Sequence, residues 1–171
     1  EPTQTKTSNF GYADFGTPGA TADDFNYTLL DGKPEIVISG DNKLLLYAII
    51  KADDGTLTPQ LLMNVKDFTL GGPVTIGDFD NDGLPEIALA SKGKFGVYDP
   101  RCEKYEVDGC ADTHVLWERW SQDHSSGVTG SSLFDFDGDG QAEAVYADEC
   151  FTRVYDGKNG RILFSARRTS Y

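Results

Sequence analysis

The chain has 171 residues, of which 39% are hydrophobic and 12% aromatic, and this composition is too apolar for a disordered chain. Its formal net charge of −13 argues against a nucleic-acid partner, because phosphates require a basic surface. No apolar run reaches the roughly 18 residues that a membrane span requires. We therefore expect a single folded segment over residues 1–171, with any secretion signal removed or outside this sequence.

Three copies of one unit follow one another along the chain. They cover approximately residues 10–65, 66–121 and 122–171. Within each unit, short apolar runs are separated by turn residues. These runs predict strands at 35–39, 44–51 and 57–63, at 86–91, 94–99 and 115–120, and at 143–148, 152–156 and 161–165.

A further strand leading into the acidic loop of each unit gives four strands per unit. Four-stranded sheets repeated every ~40 to 60 residues are typical of β-propeller blades. The sequence therefore predicts an all-β fold of β-propeller blades, built from three four-stranded repeats. A twelve-stranded β-sandwich is the alternative, and the periodicity counts against it.

Two nine-residue loops carry the strongest chemical signal. Carboxylates occupy positions 1, 3, 5 and 9 of each loop, and glycine occupies position 6. The carboxylates are Asp78, Asp80, Asp82 and Glu86 in the second unit, and Asp135, Asp137, Asp139 and Glu143 in the third.

Three acids within five residues repel one another unless a cation lies between them, and calcium takes ~6–8 oxygen ligands at ~2.3–2.6 Å. Gly83 and Gly140 allow the sharp turn that would bring the backbone carbonyl of Leu84 or Gln141 onto the ion. The two loops therefore predict two calcium sites.

Two other interpretations of these loops fit the sequence less well. An acidic surface turn is the simpler one, but turn preference alone does not explain a repeated nine-position pattern. An EF-hand requires a bidentate Glu at position 12, where this chain has Leu89 and Tyr146, and the flanking runs resemble strands rather than helices.

The first unit contains a degenerate version of the same loop. Its residues Asp24, Asn26, Asp31 and Glu35 align with the ligand positions of the other two loops. Three extra residues between the matched pieces disturb the spacing, so a third calcium site here is doubtful.

The cysteines indicate the compartment. Cys102 and Cys110 bracket a short polar insert with a glycine turn, which predicts a disulfide between them, and Cys150 is left over. The spacing lacks the paired cysteines of a zinc site. A disulfide implies an oxidising environment, so we expect an extracellular, cell-surface or periplasmic location.

With these features the chain resembles the FG-GAP repeats of integrin α-subunit heads and of many bacterial extracellular proteins. The resemblance covers nearly the whole chain. It rests on the Asp-x-Asp-x-Asp-Gly-x-x-Glu loops, on Phe15-Gly16 and Gly71-Gly72-Pro73, and on the strand pairs after the loops. It implies a propeller of about seven blades, with calcium between the first two strands of certain blades. The eight carboxylates of the second and third loops match the family's side-chain ligand positions.

We expect a calcium-stabilised extracellular module for adhesion or recognition that has no catalytic activity. The chain's two histidines, His114 and His124, do not lie in a recognisable nucleophile motif. One alternative is a carbohydrate-binding, lectin-like propeller that holds sugar between adjacent blades. Another is a propeller segment of a polysaccharide lyase or hydrolase, in which His124 would be a candidate general base.

Five aromatic residues on the predicted strands have two interpretations. They could stack against sugar rings, but aromatics on strands more often pack between blades, so we expect them in the core. They are Phe95, Tyr98, Trp117, Trp120 and Tyr155.

Three units do not close a propeller, which typically needs ~4–8 blades. Each end of the arc would leave an apolar sheet face uncovered. Residues 161–171 complete a strand and stop where a new repeat would begin. We therefore expect further blades, self-association or a partner chain to cover these faces, and an extracellular protein or glycan as ligand.

Overall fold

The computed structural model of the protein describes residues 9–168, except residues 66, 67, 70, 104, 106, 108 and 128. Within this part of the chain, twelve strands form three four-stranded antiparallel sheets. The first sheet contains β1 (Asn9–Ala13), β2 (Glu35–Gly40), β3 (Lys43–Lys51) and β4 (Leu57–Asn64). The second contains β5 (Thr75–Gly77), β6 (Glu86–Ser91), β7 (Lys94–Tyr98) and β8 (Val115–Trp120). The third contains β9 (Ser131–Phe134), β10 (Glu143–Ala147), β11 (Phe151–Tyr155) and β12 (Ile162–Arg167).

The structure confirms the all-β class and the three four-stranded repeats. Every strand predicted after an acidic loop is present, with boundaries that differ by at most two residues. That these three sheets are blades of a closed propeller stays a prediction. Over the described ranges, no helix has the length and apolar character needed to cross a membrane.

The core lies between adjacent sheets, because strands in the middle sheet bury both faces. Successive side chains of a strand point to opposite faces. In β6, Ile87 and Leu89 therefore belong to a first core shared with the first sheet, while Ala88 and Ala90 belong to a second core shared with the third sheet. The middle sheet is thus enclosed by its two neighbours.

Aromatic side chains dominate the second core. Phe95 stacks on Tyr146 with ring centroids 4.5 Å apart, and Trp117 stacks on Tyr155 at 5.7 Å. The indole N–H of Trp117 also donates to the carbonyl oxygen of Gly157, at 2.5 Å. These contacts join the second and third sheets.

The prediction that the five aromatic residues pack in the core is confirmed for Phe95, Tyr98, Trp117 and Tyr155. It is wrong for Trp120, which is 77% exposed. Trp120 ends the outer strand β8, where no neighbouring sheet covers it, and the Lys94 ammonium lies 5.5 Å from its ring centroid.

The predicted disulfide is confirmed. Cys102 and Cys110 are bonded, with their Cα atoms 5.7 Å apart, and the pair closes the loop that follows β7. A short 3₁₀ helix, Pro100–Glu103, starts this loop. Cys150 is exposed and is not disulfide-bonded.

One phenylalanine follows the first aspartate of each loop and extends towards the next sheet. Phe15 lies in the first core with Tyr98, and Phe79 lies in the second core with Tyr155. Phe136 has the same position in the third unit but is 58% exposed. The difference follows from the arrangement of the sheets, since no further sheet follows the third one in the described chain.

We predict that Phe79→Ala lowers the free energy of unfolding by about 3–5 kcal/mol, because the substitution leaves a cavity between two sheets. Phe136→Ala, the matched control, should change it by only about 0.5 kcal/mol, as expected at an exposed site. Urea denaturation measures both values. Equal effects of the two substitutions would contradict the packing of Phe79 between sheets.

Candidate metal centre

Each acidic loop connects the first and second strands of its sheet, and the strand register is the same in all three units. The residue that ends the first strand pairs with the glutamate that begins the second. The pairs are Ala13 with Glu35, Gly77 with Glu86, and Phe134 with Glu143. Asp14, Asp78 and Asp135, which follow the first strands, are therefore equivalent.

Hydrogen bonds to the glutamate repeat in all three loops. Its Oε2 atom accepts from the backbone N–H of the motif phenylalanine, at 2.7 Å in the first and second loops and at 2.8 Å in the third. All three glutamates are buried.

The first aspartate of each loop accepts a hydrogen bond from the turn glycine. The donors are the backbone N–H groups of Gly32, Gly83 and Gly140, at 2.6, 2.8 and 3.0 Å. The carboxylates at the first and last positions of each loop therefore hold its backbone in place through hydrogen bonds.

The alignment of Asp24 with Asp78 is wrong, since Asp14 holds that position. Asp24 lies in a short 3₁₀ helix, Ala22–Asp24, and accepts a hydrogen bond from the Thr21 hydroxyl. Asn26 accepts from the backbone and hydroxyl of Thr28. Residues 16–30 form an insertion whose Asp24-Phe25-Asn26 stretch imitates the start of the other loops.

The remaining residues of the doubtful third site, Asp31 and Glu35, are not part of a carboxylate cluster suited to a metal ion among the described residues. Asp31 binds Lys33, at 2.8 Å, whereas Glu35 begins β2 as predicted. Burial raises the pKa of Glu35 to about 7. In the described part of the chain, the carboxylate clusters suited to a metal ion occur in the second and third loops.

In these two loops, the structure brings together three of the four predicted carboxylates. One carboxylate oxygen from each of Asp78, Asp80 and Glu86 lies within 4.8 Å of the other two, and the same holds for Asp135, Asp137 and Glu143. Both clusters are therefore placed so that they could hold a metal ion.

The carboxylates at position 5 lie outside these clusters. Asp82 accepts from the backbone N–H of Leu84, at 2.9 Å, and Asp139 accepts from that of Gln141, at 2.8 Å. Each of these bonds tightens the turn at the loop's glycine. The proposed ligand roles of the Leu84 and Gln141 carbonyl oxygens stay predictions.

The hydrogen bonds of the second loop compensate only part of the negative charge of its buried carboxylates. Burial raises the pKa of Glu86 to about 9, and burial with the neighbouring Asp82 raises that of Asp80 to about 6. Among the described atoms, Asp80 Oδ1 and Asp99 Oδ2 are buried and have no hydrogen-bond partner. Buried carboxylate oxygens normally have a partner, so these two fit a cation that prefers oxygen ligands, as calcium does.

Arg101 is a site residue that sequence reasoning missed. Its side chain is 3% exposed, and its Nε donates to Asp99, at 2.8 Å. Its two terminal nitrogens donate to Asp82 and Glu86. The signal in the sequence was a basic residue three positions after β7, but only the fold brings it to the carboxylates.

Two further features bear on the alternative functions. A groove of about 740 Å³ lies between the first and second sheets, and its lining includes Lys92, Lys94, His114 and Glu118. His124 lies elsewhere, with its backbone N–H donating to Glu149 at 3.1 Å.

We predict that Asp14→Ala lowers the free energy of unfolding by about 1–2 kcal/mol, because the N–H groups of Gly16 and Gly32 lose their acceptor. Asp24→Ala should have an effect of about 0.5 kcal/mol, since Asp24 is exposed. Urea denaturation in the presence of a chelator measures both. A larger loss for Asp24→Ala would contradict the corrected alignment.

No curated protein matches this chain. The solved structures include a similar chain, described as "Crystal structure of the V. cholerae biofilm matrix protein Bap1", with 17% sequence identity and a TM-score of 0.42. The similarity covers 98% of this chain and 36% of that chain.

The model of the FG-GAP-like repeat matches residues 29–89. These residues run from the end of the first loop through the rest of the first sheet to the second acidic loop and most of β6. Residues 29–89 of the chain are therefore an FG-GAP-like repeat, as the resemblance of the acidic loops predicts.

Proposed function

We propose that the protein is a calcium-stabilised, extracellular β-propeller segment that mediates adhesion or recognition and has no catalytic activity of its own. The observation that carries the proposal is the pair of carboxylate clusters in the second and third loops, with the buried, unpaired oxygen of Asp80 at one of them. The FG-GAP-like repeat at residues 29–89 and the disulfide support the same function.

Calcium at these loops would be held by Asp78, Asp80 and Glu86 and by the equivalent carboxylates of the third loop. Bound there, it would supply the positive charge that three converging carboxylates lack. The chain itself supplies the rest of the loop, because each glutamate fixes the backbone of a motif phenylalanine. The loop therefore connects the charge of the site to the packing of the sheets.

Adhesion is favoured over the two alternatives by the lining of the groove between the first and second sheets. Sugar-binding sites stack rings on accessible aromatic faces. The aromatic ring that lines the groove between the first two sheets is Phe68, which is buried in the first core. The carbohydrate-binding and polysaccharide-cleaving functions stay alternatives.

We predict that calcium raises the melting temperature and that a chelator lowers it. Extracellular sites often bind with a Kd of ~10⁻⁴ to 10⁻³ M, so millimolar calcium should stabilise the fold by about 0.5–1.5 kcal/mol per site. Thermal unfolding with and without calcium, together with calorimetric titration, measures the effect.

Asp137→Asn should remove the binding at the third loop. Asp53→Asn, which changes an exposed turn outside the loops, should not affect calcium binding. Unfolding curves that a chelator leaves unchanged, with no heat of calcium binding, would contradict the proposal.

The two ends of the three-sheet array also require a partner in this function. Gly77 of β5 faces Leu133 of the third sheet, and Phe134 is the equivalent residue of β9. Phe134 is 62% exposed and contacts Phe136, with ring centroids 5.2 Å apart. The face of the third sheet that carries this pair is therefore the face that packs on the next sheet in the other units.

We propose that a further four-stranded unit covers this face. For the chain alone, a second copy can supply it through the outer face of its first sheet, where Phe10 and Tyr12 are exposed. Gly11, between them, faces Val74 and Ile76 of the second sheet, so Phe10 and Tyr12 point the opposite way. Such head-to-tail contact is heterologous and extends or closes according to its rotation.

Sedimentation velocity at micromolar concentrations should show association that increases with concentration. Phe134→Ser should weaken it, because a polar side chain replaces part of the apolar face. Trp120→Ser should not, although Trp120 is more exposed than Phe134, because Trp120 lies outside the two terminal faces. A compact 18.7 kDa monomer at all concentrations would contradict this proposal.

A further inference from the structure

We infer that Arg101 is an internal cation that competes with calcium for the second loop, so that the third loop binds calcium more tightly and fills first. The inference rests on the proposed calcium function and adds an order of binding to it. It also makes Asp99, which lies outside both nine-residue loops, part of the second site.

The contacts of Arg101 place its guanidinium among the second loop's own ligand candidates. One terminal nitrogen donates to Oδ2 of Asp82 and the other to Oε1 of Glu86. The Nε and the backbone N–H of Arg101 both donate to Oδ1 of Asp99, at 2.8 Å. Arginine's planar fork is suited to carboxylates in this way.

The third loop lacks this cation. Its Glu143 accepts from the backbone of Phe136 through Oε2, and among the described residues no basic side chain contacts Glu143 or Asp139. The residue equivalent to Asp99 is Asp156, since Tyr98 and Tyr155 hold the same register position. Asp156 has an exposed Arg161 at 3.7 Å and accepts from Gln141 instead.

Competition follows from the atoms that Arg101 occupies. Calcium binding at the second loop needs oxygens of the acidic loop, and Arg101 engages Oδ2 of Asp82 and Oε1 of Glu86. Charge-assisted hydrogen bonds are among the stronger hydrogen bonds in proteins, so a calcium ion that uses these atoms must first displace them. Among the described residues, the third loop has no such bonds to an arginine or lysine.

Arg101 does not satisfy the whole site. Asp99 is fully buried and its Oδ2 has no partner, and Oδ1 of Asp80 is also unpaired. These two oxygens accept no hydrogen bond from Arg101 and remain available to a divalent ion. The second loop should therefore bind calcium weakly, rather than not at all, and should stay ordered when calcium is absent.

The test compares two single-loop proteins by calorimetric calcium titration. Asp137→Asn leaves the second loop and Asp80→Asn leaves the third. We expect the second loop to bind at least about tenfold more weakly than the third, which corresponds to about 1.4 kcal/mol. Equal affinities, or a tighter second loop, would overturn the inference.

The role of Arg101 is then tested in the protein that retains only the second loop. Arg101→Gln, added to Asp137→Asn, should raise the calcium affinity at least about tenfold. It should also lower the melting temperature in chelator, because buried carboxylates lose their partner, and calcium should restore it. Arg101→Lys should lie between the two, because lysine keeps the charge without the fork.

Arg153→Gln is the matched control. Arg153 is also buried and pairs with Asp148, at 2.5 Å, away from the acidic loops. Its loss should lower the melting temperature, and calcium should stabilise this variant by no more than it stabilises the protein with Arg153 intact. An Arg101→Gln protein that calcium does not stabilise, or whose affinity is unchanged, would overturn the inference. Absence of calcium binding in every variant would instead overturn the proposed function, and the inference with it.

Discussion

The structure depends on one repeated interaction, the hydrogen bond from the backbone of a motif phenylalanine to a buried glutamate. The bond joins the beginning of each acidic loop to its end, and so aligns the first two strands of the sheet. The same bond positions Phe15 and Phe79 to pack on the next sheet. The hydrogen bonding of each acidic loop and the packing of the core therefore depend on each other in this fold.

Burying a carboxylate at that position creates a charge that must be compensated, because an unpaired buried charge is costly. The three units meet this requirement differently. In the first, the described residues of the loop form no carboxylate cluster suited to a metal ion, and burial raises the pKa of Glu35 to about 7, so its carboxyl is partly protonated near neutral pH. In the second, Arg101 pairs with Glu86, and in the third a cluster of carboxylates remains without a contacting basic side chain. The three units thus keep the same buried glutamate and strand register but compensate its charge in different ways.

The sequence predicted the strands well because each unit repeats the same alternation of apolar runs and turn residues, and errors in one copy are limited by the other two. The first loop was misaligned because Asp24 and Phe25 reproduce the local sequence of the other two loops. Only the strand register, in which Ala13 pairs with Glu35, shows that the loop begins at Asp14. Arg101 could not be found, since it reaches Glu86 only through the packing of a loop after β7. Trp120 was misplaced because strand periodicity does not reveal which strand lies at the outside.

The third loop contains a candidate metal site and also adjoins the exposed face of the third sheet. Its Glu143 holds the backbone of Phe136, whose side chain contacts Phe134 on the uncovered face of the last sheet. In the second unit, the equivalent phenylalanine is already enclosed by a neighbouring sheet and the loop has its own arginine. The second loop therefore has an internal cation and an enclosed phenylalanine, whereas among the described residues the third loop has neither. In the proposed function, a calcium ion and a covering unit would stabilise the same loop conformation, so each would favour the binding of the other.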